Sequence, residues 1–97
     1  MPAYLIADVI IEDEEAMVAY RPIAAEALIV HKGRMLALGE PETLEGDWRR
    51  KRMVIVEFPD MEAARVWFSS PEYAPALKIR RAAASTRALL LDGLNVP

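Results

Sequence analysis

Residues 52–68 read RMVIVEFPDMEAARVWF, and the fold turns on where this stretch changes its period. Met53–Phe58 is an apolar, β-branched run of strand length, of the kind found at the centre of a sheet. Pro59 ends it, Asp60 is a suitable N-cap, and Met61–Phe68 then takes helical spacing. One polar residue, Glu57, interrupts the apolar run.

Upstream of that stretch, Ala3–Ile11 is the predicted first strand, and it is apolar on both alternations. Leu5, Ala7, Val9 and Ile11 fall on one face, with Tyr4, Ile6, Asp8 and Ile10 on the other. Asp13 can cap the next helix, and Glu14 and Glu15 suit the positive end of its dipole. Ala16, Tyr20, Ile23, Ala24, Ala27, Leu28 and His31 keep three- and four-residue spacing, which predicts a buried stripe. Pro22 removes one backbone bond within that pattern and predicts a kink. Gly33 is expected to close the helix after Lys32. Arg34–Leu38 is a short second strand ended by Gly39. Residues 40–51, EPETLEGDWRRK, then form a long polar hairpin loop with one large aromatic, Trp48.

Downstream, Ser70-Pro71-Glu72 repeats a helix-start signal, with Ser as cap and Pro in the first turn. Pro75 is expected to divide this segment into one turn and a helix running to about Ala84. Thr86–Leu91 is the last strand, and Asp92-Gly93 turns out of it.

The order β-α-β-β-α-β, with an extra helical piece before the last strand, belongs to the α+β class. Two helices on one side of a four-stranded antiparallel sheet make the ferredoxin-like arrangement, here as one domain over residues 1–97. Right-handed crossovers are expected to set the first and third strands side by side and parallel in the middle. If Leu5, Ala7 and Val9 face the helices with Val54, Val56 and Phe58, then Asp8 and Glu57 point to the opposite side. Their neighbours there are Tyr4, Ile6, Ile10, Met53 and Ile55. The last strand adds either Leu89 and Leu91 or Ala88 and Leu90. Two helices cover only one side of such a sheet. An apolar uncovered side predicts a two-fold homodimer with its sheets face to face.

Composition bounds the function classes. The 97 residues are 54% hydrophobic and 28% charged, an ordinary soluble globular balance with a core thin enough to gain from a partner subunit. A net charge of −3 gives no electrostatic case for nucleic acid or an anionic membrane. The absence of cysteine removes disulfides, thiolate nucleophiles and Cys-based metal sites. The start, MPAYLIADVIIED, has no basic region and its apolar run is broken by Asp8. It reads as a strand rather than a signal peptide, and cytoplasmic residence is the expectation. No apolar run approaches membrane-spanning length.

A set of local features runs along the chain: Ala3-Tyr4, Tyr20, Gly33-Arg34, Leu44-Glu45-Gly46 with Trp48, Val56-Glu57-Phe58-Pro59, Trp67, Ser70-Pro71-Glu72-Tyr73 and Arg80. In these the chain resembles, nearly end to end, a family of small bacterial proteins catalogued as a domain of unknown function, number thirteen-thirty. The resemblance implies the dimeric α/β-barrel variant of the ferredoxin-like fold and no particular chemistry. The chain departs from the family where Lys32-Gly33-Arg34 replaces Gly-Gly-Arg, where Gly39-Glu40 replaces a Gly pair, and at Pro75.

The candidate ligand-binding residues are Asp8, His31, Arg34, Trp48 and Glu57. His31 is the lone histidine, placed where a helix C-terminus favours its charged form, and a structural role is preferred to proton carrying. No second histidine or carboxylate keeps ligand spacing with it, so no metal site is expected. Tyr20, Trp67 and Tyr73 have spacings that more often mean core or interface. The run Arg49-Arg50-Lys51-Arg52 follows acidic residues closely and reads as a solvated loop. With no phosphate loop and no nucleophile elbow, no cofactor is implied.

Asp8 and Glu57 are the most informative, because carboxylates on an apolar face must be paired, hydrated or protonated. Arg34, Arg52 or Arg87 could pair with them, and Glu57 is expected to be largely buried against an Arg or a Tyr hydroxyl. Two function classes follow. One is a binder or enzyme of a small organic molecule, as cofactor-free monooxygenases on the same dimeric barrel suggest at fold level. A cavity of several hundred Å³ around Glu57 would favour it. The other is a non-catalytic dimeric module, favoured by a filled interface with both carboxylates salt-bridged.

Overall fold

The change of period at Pro59 is where a strand gives way to a helix, and the rest of the chain arranges itself on that pair. The computed structural model describes residues 1–48 and 52–94. Its elements are β1 (Ala3–Ile11), α1 (Glu14–Val30), β2 (Arg34–Gly39), β3 (Arg52–Phe58), α2 (Met61–Phe68), α3 (Ala74–Ala83) and β4 (Ala84–Asp92). Arg49, Arg50 and Lys51, most of the basic run, lie outside the described residues. Arg52 is the first residue of β3 rather than part of a solvated loop.

The four strands order as β2-β3-β1-β4. Each neighbouring pair is antiparallel, including β1 with β3. This corrects the expectation that the two central strands run parallel. The α1 crossover sets β2 parallel to β1, and the β2–β3 hairpin then reverses direction, so β3 must oppose β1. The fold is ferredoxin-like.

Register fixes the faces, because side chains opposite one another in an antiparallel pair share a side. Leu5 lies between Val56 and Leu90, and Ala7 between Val54 and Ala88. Val54, Val56, Leu5 and Leu90 all pack in or against the core cluster with the helices. On the open side Tyr4 lies between Glu57 and Leu91, Ile6 between Ile55 and Leu89, and Asp8 between Met53 and Arg87. Leu89 and Leu91, rather than Ala88 and Leu90, therefore complete the open face.

Local signals set the helix ends. The Asp13 carboxylate accepts from the Ala16 amide (3.1 Å), and Asp60 accepts from Ala63 (2.7 Å). α1 continues through Pro22 as one helix. At its C-terminus Lys32, not Gly33, takes the left-handed conformation (φ 60°). The Gly33 amide reaches back to the Leu28 carbonyl (2.8 Å) and that of Lys32 to Ile29 (3.2 Å), a Schellman closure. Gly33 is needed for closeness instead: a Cβ there would sit 2.7 Å from Leu28 Cδ2 and 2.9 Å from Phe58 Cε1. α3 begins at Ala74, with Pro75 in its first turn.

Phe58, Trp67 and Tyr73 form the centre of the core, with ring centroids 5.1 Å apart for the first pair and 4.3 Å for the second. α2 lies on the sheet, whereas α1 packs chiefly against α3. Among the described residues no helix is long and apolar enough to cross a membrane.

Candidate functional site

Because α1 leans on α3, a space opens between α1 and the helix-side face of the sheet. Several of the residues there are small. Ala7, Val9 and Ala88 form the floor, and Ala24 and Ala25 of α1 face it, so neither surface reaches the other. The result is a cavity of about 530 Å³, within the usual range for small-molecule sites. Leu5, Val54, Val56 and Leu28 extend its apolar wall, and the exposed Met35 and Leu38 of β2 line its rim.

Its polar side chains come from α1, β3, α2, the turn before α3, α3 and β4. Tyr20 and Tyr73 bring their hydroxyl oxygens to 3.5 Å, and Arg80 donates from Nε to Tyr73 Oη (3.3 Å). Tyr73 is placed by the turn between α2 and α3. There Ser70, itself buried, donates to the Trp67 carbonyl (2.8 Å) and accepts from the Tyr73 amide (3.2 Å). Burial pushes the Tyr20 phenol well above its ordinary range. Tyr73 adds to the rise and Arg80 opposes it. Two further lining groups, Trp67 Nε1 and Thr86 Oγ1, are buried without a hydrogen-bond partner, and Trp67 as a whole is only 4% exposed. Buried donors without partners are uncommon in folded proteins. Of these groups, Arg80 and the phenol pair are linked to one another and can together donate to an oxygen-bearing group beside the apolar floor.

The candidates named from sequence lie elsewhere, and none of the five lines this cavity. Asp8 and Glu57 sit on the opposite side of the sheet. The Asp8 carboxylate is 9% exposed and receives Arg87 through Nε (3.0 Å) and Nη2 (2.8 Å). Glu57 receives Arg34 Nη2 at 2.9 Å, but its side chain is 27% exposed and that of Arg34 is 71% exposed. Glu57 is thus paired as expected but not largely buried, because the edge strand β2 leaves Arg34 in solvent. His31 Nε2 meets Glu72 Oε1 at 2.6 Å, tying the end of α1 to the turn before α3. Trp48 is exposed and donates from Nε1 to the Glu45 carbonyl (2.9 Å), folding its own loop. Among the described residues no group of three or more metal-binding side chains converges.

Tyr20, Trp67, Tyr73, Arg80 and Thr86, which sequence reasoning left as core, interface or unassigned, are among the polar residues that line the cavity, together with Arg21 and Arg52. The available signal was the density of hydroxyl and indole groups on positions read as core, where a polar tip needs a partner.

The fold and the cavity define a class, a ferredoxin-like α+β protein with a ligand-sized space between its sheet and its helices. The chain belongs to the family described as Domain of unknown function (DUF1330), which matches residues 2–94. It is similar to a protein of unknown function from Rhodopseudomonas palustris, with 23% identity and a TM-score of 0.79 over 98% of this chain and 84% of that one. It is also similar to a dimeric ferredoxin-like protein of unknown function from a Jannaschia species, at 17% identity and a TM-score of 0.67, covering 96% and 100% of the two chains. A third similar structure is SnoaB, a cofactor-independent oxygenase from Streptomyces nogalater, at 11% identity and a TM-score of 0.60 over 98% and 95%. At these identities the likeness bears on fold alone. Among curated proteins none matches the chain.

Proposed function

We propose that the protein is a homodimer that binds a small, largely apolar organic molecule between α1 and the sheet of each subunit. The observation that carries the reading is the cavity of about 530 Å³, walled by apolar side chains and bordered by the Tyr20–Tyr73–Arg80 hydrogen-bonded cluster. That SnoaB shares the fold makes an oxygenase-like activity one form this binding could take.

The second reading, a non-catalytic dimeric module, draws on the other side of the sheet. Asp8 and Glu57 are both salt-bridged there, and Leu89 (64% exposed) and Leu91 (56%) stand bare. The two readings concern opposite faces and are compatible, with assembly on the open side and ligand on the helix side.

A screen of small aromatic and aliphatic compounds by amide and indole NMR tests the first reading. The Trp67 indole and the Thr86 amide should shift together in the presence of a ligand. Ala88→Leu, which pushes methyl groups into the cavity from its floor, should abolish those shifts with the fold intact. Shifts confined to the Asp8–Glu57 side, or none across the library, would overturn the cavity as the site.

A further inference from the structure

The polarity of the cavity wall is one-sided in two senses, and both bear on what the ligand carries. The first is chemical. Among the described residues no Asp or Glu lines the cavity, whereas Arg21, Arg52 and Arg80 all do. Arg21 is engaged by Glu14 (3.2 Å), but among the described residues no carboxylate pairs with Arg52 or Arg80. The hydroxyl pair is also donor-rich. One bond between Tyr20 and Tyr73 consumes one of their two phenol protons, and Arg80 only donates to them, so one proton is left to offer.

The second sense is spatial. Arg52 and Thr86 flank Val9 in one row across the helix-side face, at the end of the sheet where β1 finishes and β3 and β4 begin. Arg80 lies in the last turn of α3, which leads directly into β4 at that same end. Leu28, Met35 and Val56 give the cavity its apolar wall away from Arg52, and Tyr20 and Tyr73 pack in the same cluster as Leu28 and Val56.

Resting on the ligand-cavity reading above, we infer that the ligand is amphipathic and anionic. An apolar body lies along Leu28 and Val56, and a carboxylate or other charged oxygen group is held by Arg80 and the phenol pair, with Arg52 adding positive charge to the cavity rim. Guanidinium and phenol donors around an oxyanion make charge-assisted hydrogen bonds, roughly twice as strong as neutral ones. A cationic ligand would instead meet like charge with no carboxylate to receive it.

Three probes of one shape separate the possibilities: 1-naphthoate, 1-naphthalenemethanol and 1-naphthylmethylamine, titrated at neutral pH against the full chain. The readout is the Trp67 indole resonance, distinguished from that of Trp48 with Trp48→Phe. Naphthoate should bind roughly tenfold or more tightly than the alcohol, and the amine most weakly, as charge-assisted bonding requires. The margin should shrink in Arg80→Gln and largely return in Arg80→Lys. Equal binding of acid and alcohol by the wild type, or tighter binding of the amine, would overturn the anionic ligand while leaving the cavity reading intact. No response to any probe would overturn both. Because the decisive comparison is made on the wild-type protein, it stands even if the Arg80 variants fold poorly.

Discussion

Asp8 and Glu57 are two carboxylates on the same sheet face, each opposite an arginine, and their energetic roles differ because their exposure differs. Asp8 is held bidentately in a nearly closed setting, so removing Arg87 deprives a buried charge of its main donor. Arg87→Ala should lower stability by about 1–3 kcal/mol in denaturant unfolding. Glu57 shares its charge with a solvated Arg34, and such pairs are worth about 0.2–1 kcal/mol, so Glu57→Gln should cost no more than that. An equal or reversed order of the two would show that exposure is not what separates them. Tyr20 gives a second test at this scale. Its folded-state value is raised above the ordinary phenol value of about 10, so folding favours the protonated form. The sign follows: its contribution is whole below about pH 10 and is lost as pH rises from there toward the raised value. Wild-type stability should therefore fall more steeply above about pH 10 than that of Tyr20→Phe, and parallel curves would contradict the raised phenol.

Elements are joined here by short closures that demand particular residues. The end of α1 requires a left-handed residue and then one without a side chain, and the chain supplies Lys32 and Gly33. A lysine in that conformation costs on the order of 1 kcal/mol relative to glycine. Lys32→Gly should accordingly stabilise the protein by a few tenths to about 1 kcal/mol, the net of lost strain and added chain entropy. Gly33→Ala should destabilise by about 1–3 kcal/mol, because the new methyl collides with Leu28 and with the fully buried Phe58 ring. Thermal melts of the two variants should move in opposite directions. Movement the same way would mean that the turn is not closed as described. The α2–α3 turn works through Ser70, whose hydroxyl serves two backbone groups and so sets where Tyr73 enters the cavity.

For the whole molecule, the measure is surface. The chain exposes 6643 Å², against about 5,600 Å² for a compact monomer of its mass. Part of that excess is the open sheet face, where Leu89 and Leu91 are bare and Ile6, Ile10 and Ile55 are only partly covered. Soluble monomers rarely carry a contiguous apolar patch of that kind. A two-fold partner on this face would cover it and place Asp8–Arg87 and Glu57–Arg34 at the junction. Sedimentation at micromolar concentration should give about twice the 10.9 kDa chain mass. Leu89→Arg should shift the species toward monomer while leaving the cavity on the other side able to bind. A wild-type monomer would mean that the open face stays bare.

The sequence by itself determined the elements and their faces, because each depends on neighbours within a few positions. The apolar strand Ala3–Ile11, the break at Pro59 and the caps at Asp13 and Asp60 appear where they were legible, whereas Ser70-Pro71 opens a turn and the helix itself begins at Ala74. The direction of β1 against β3 belongs to no single residue and follows from how a crossover and a hairpin combine. Only the tertiary structure decided which carboxylate is buried, since β4 delivers Arg87 beside Asp8 across 79 positions of chain. The cavity belongs to the same category. Nothing local marks Ala7, Ala24, Ala25 and Ala88 as a set, and they border one space only because α1 leans on α3 rather than on the sheet. Volume is a property of facing surfaces, and no local pattern records it.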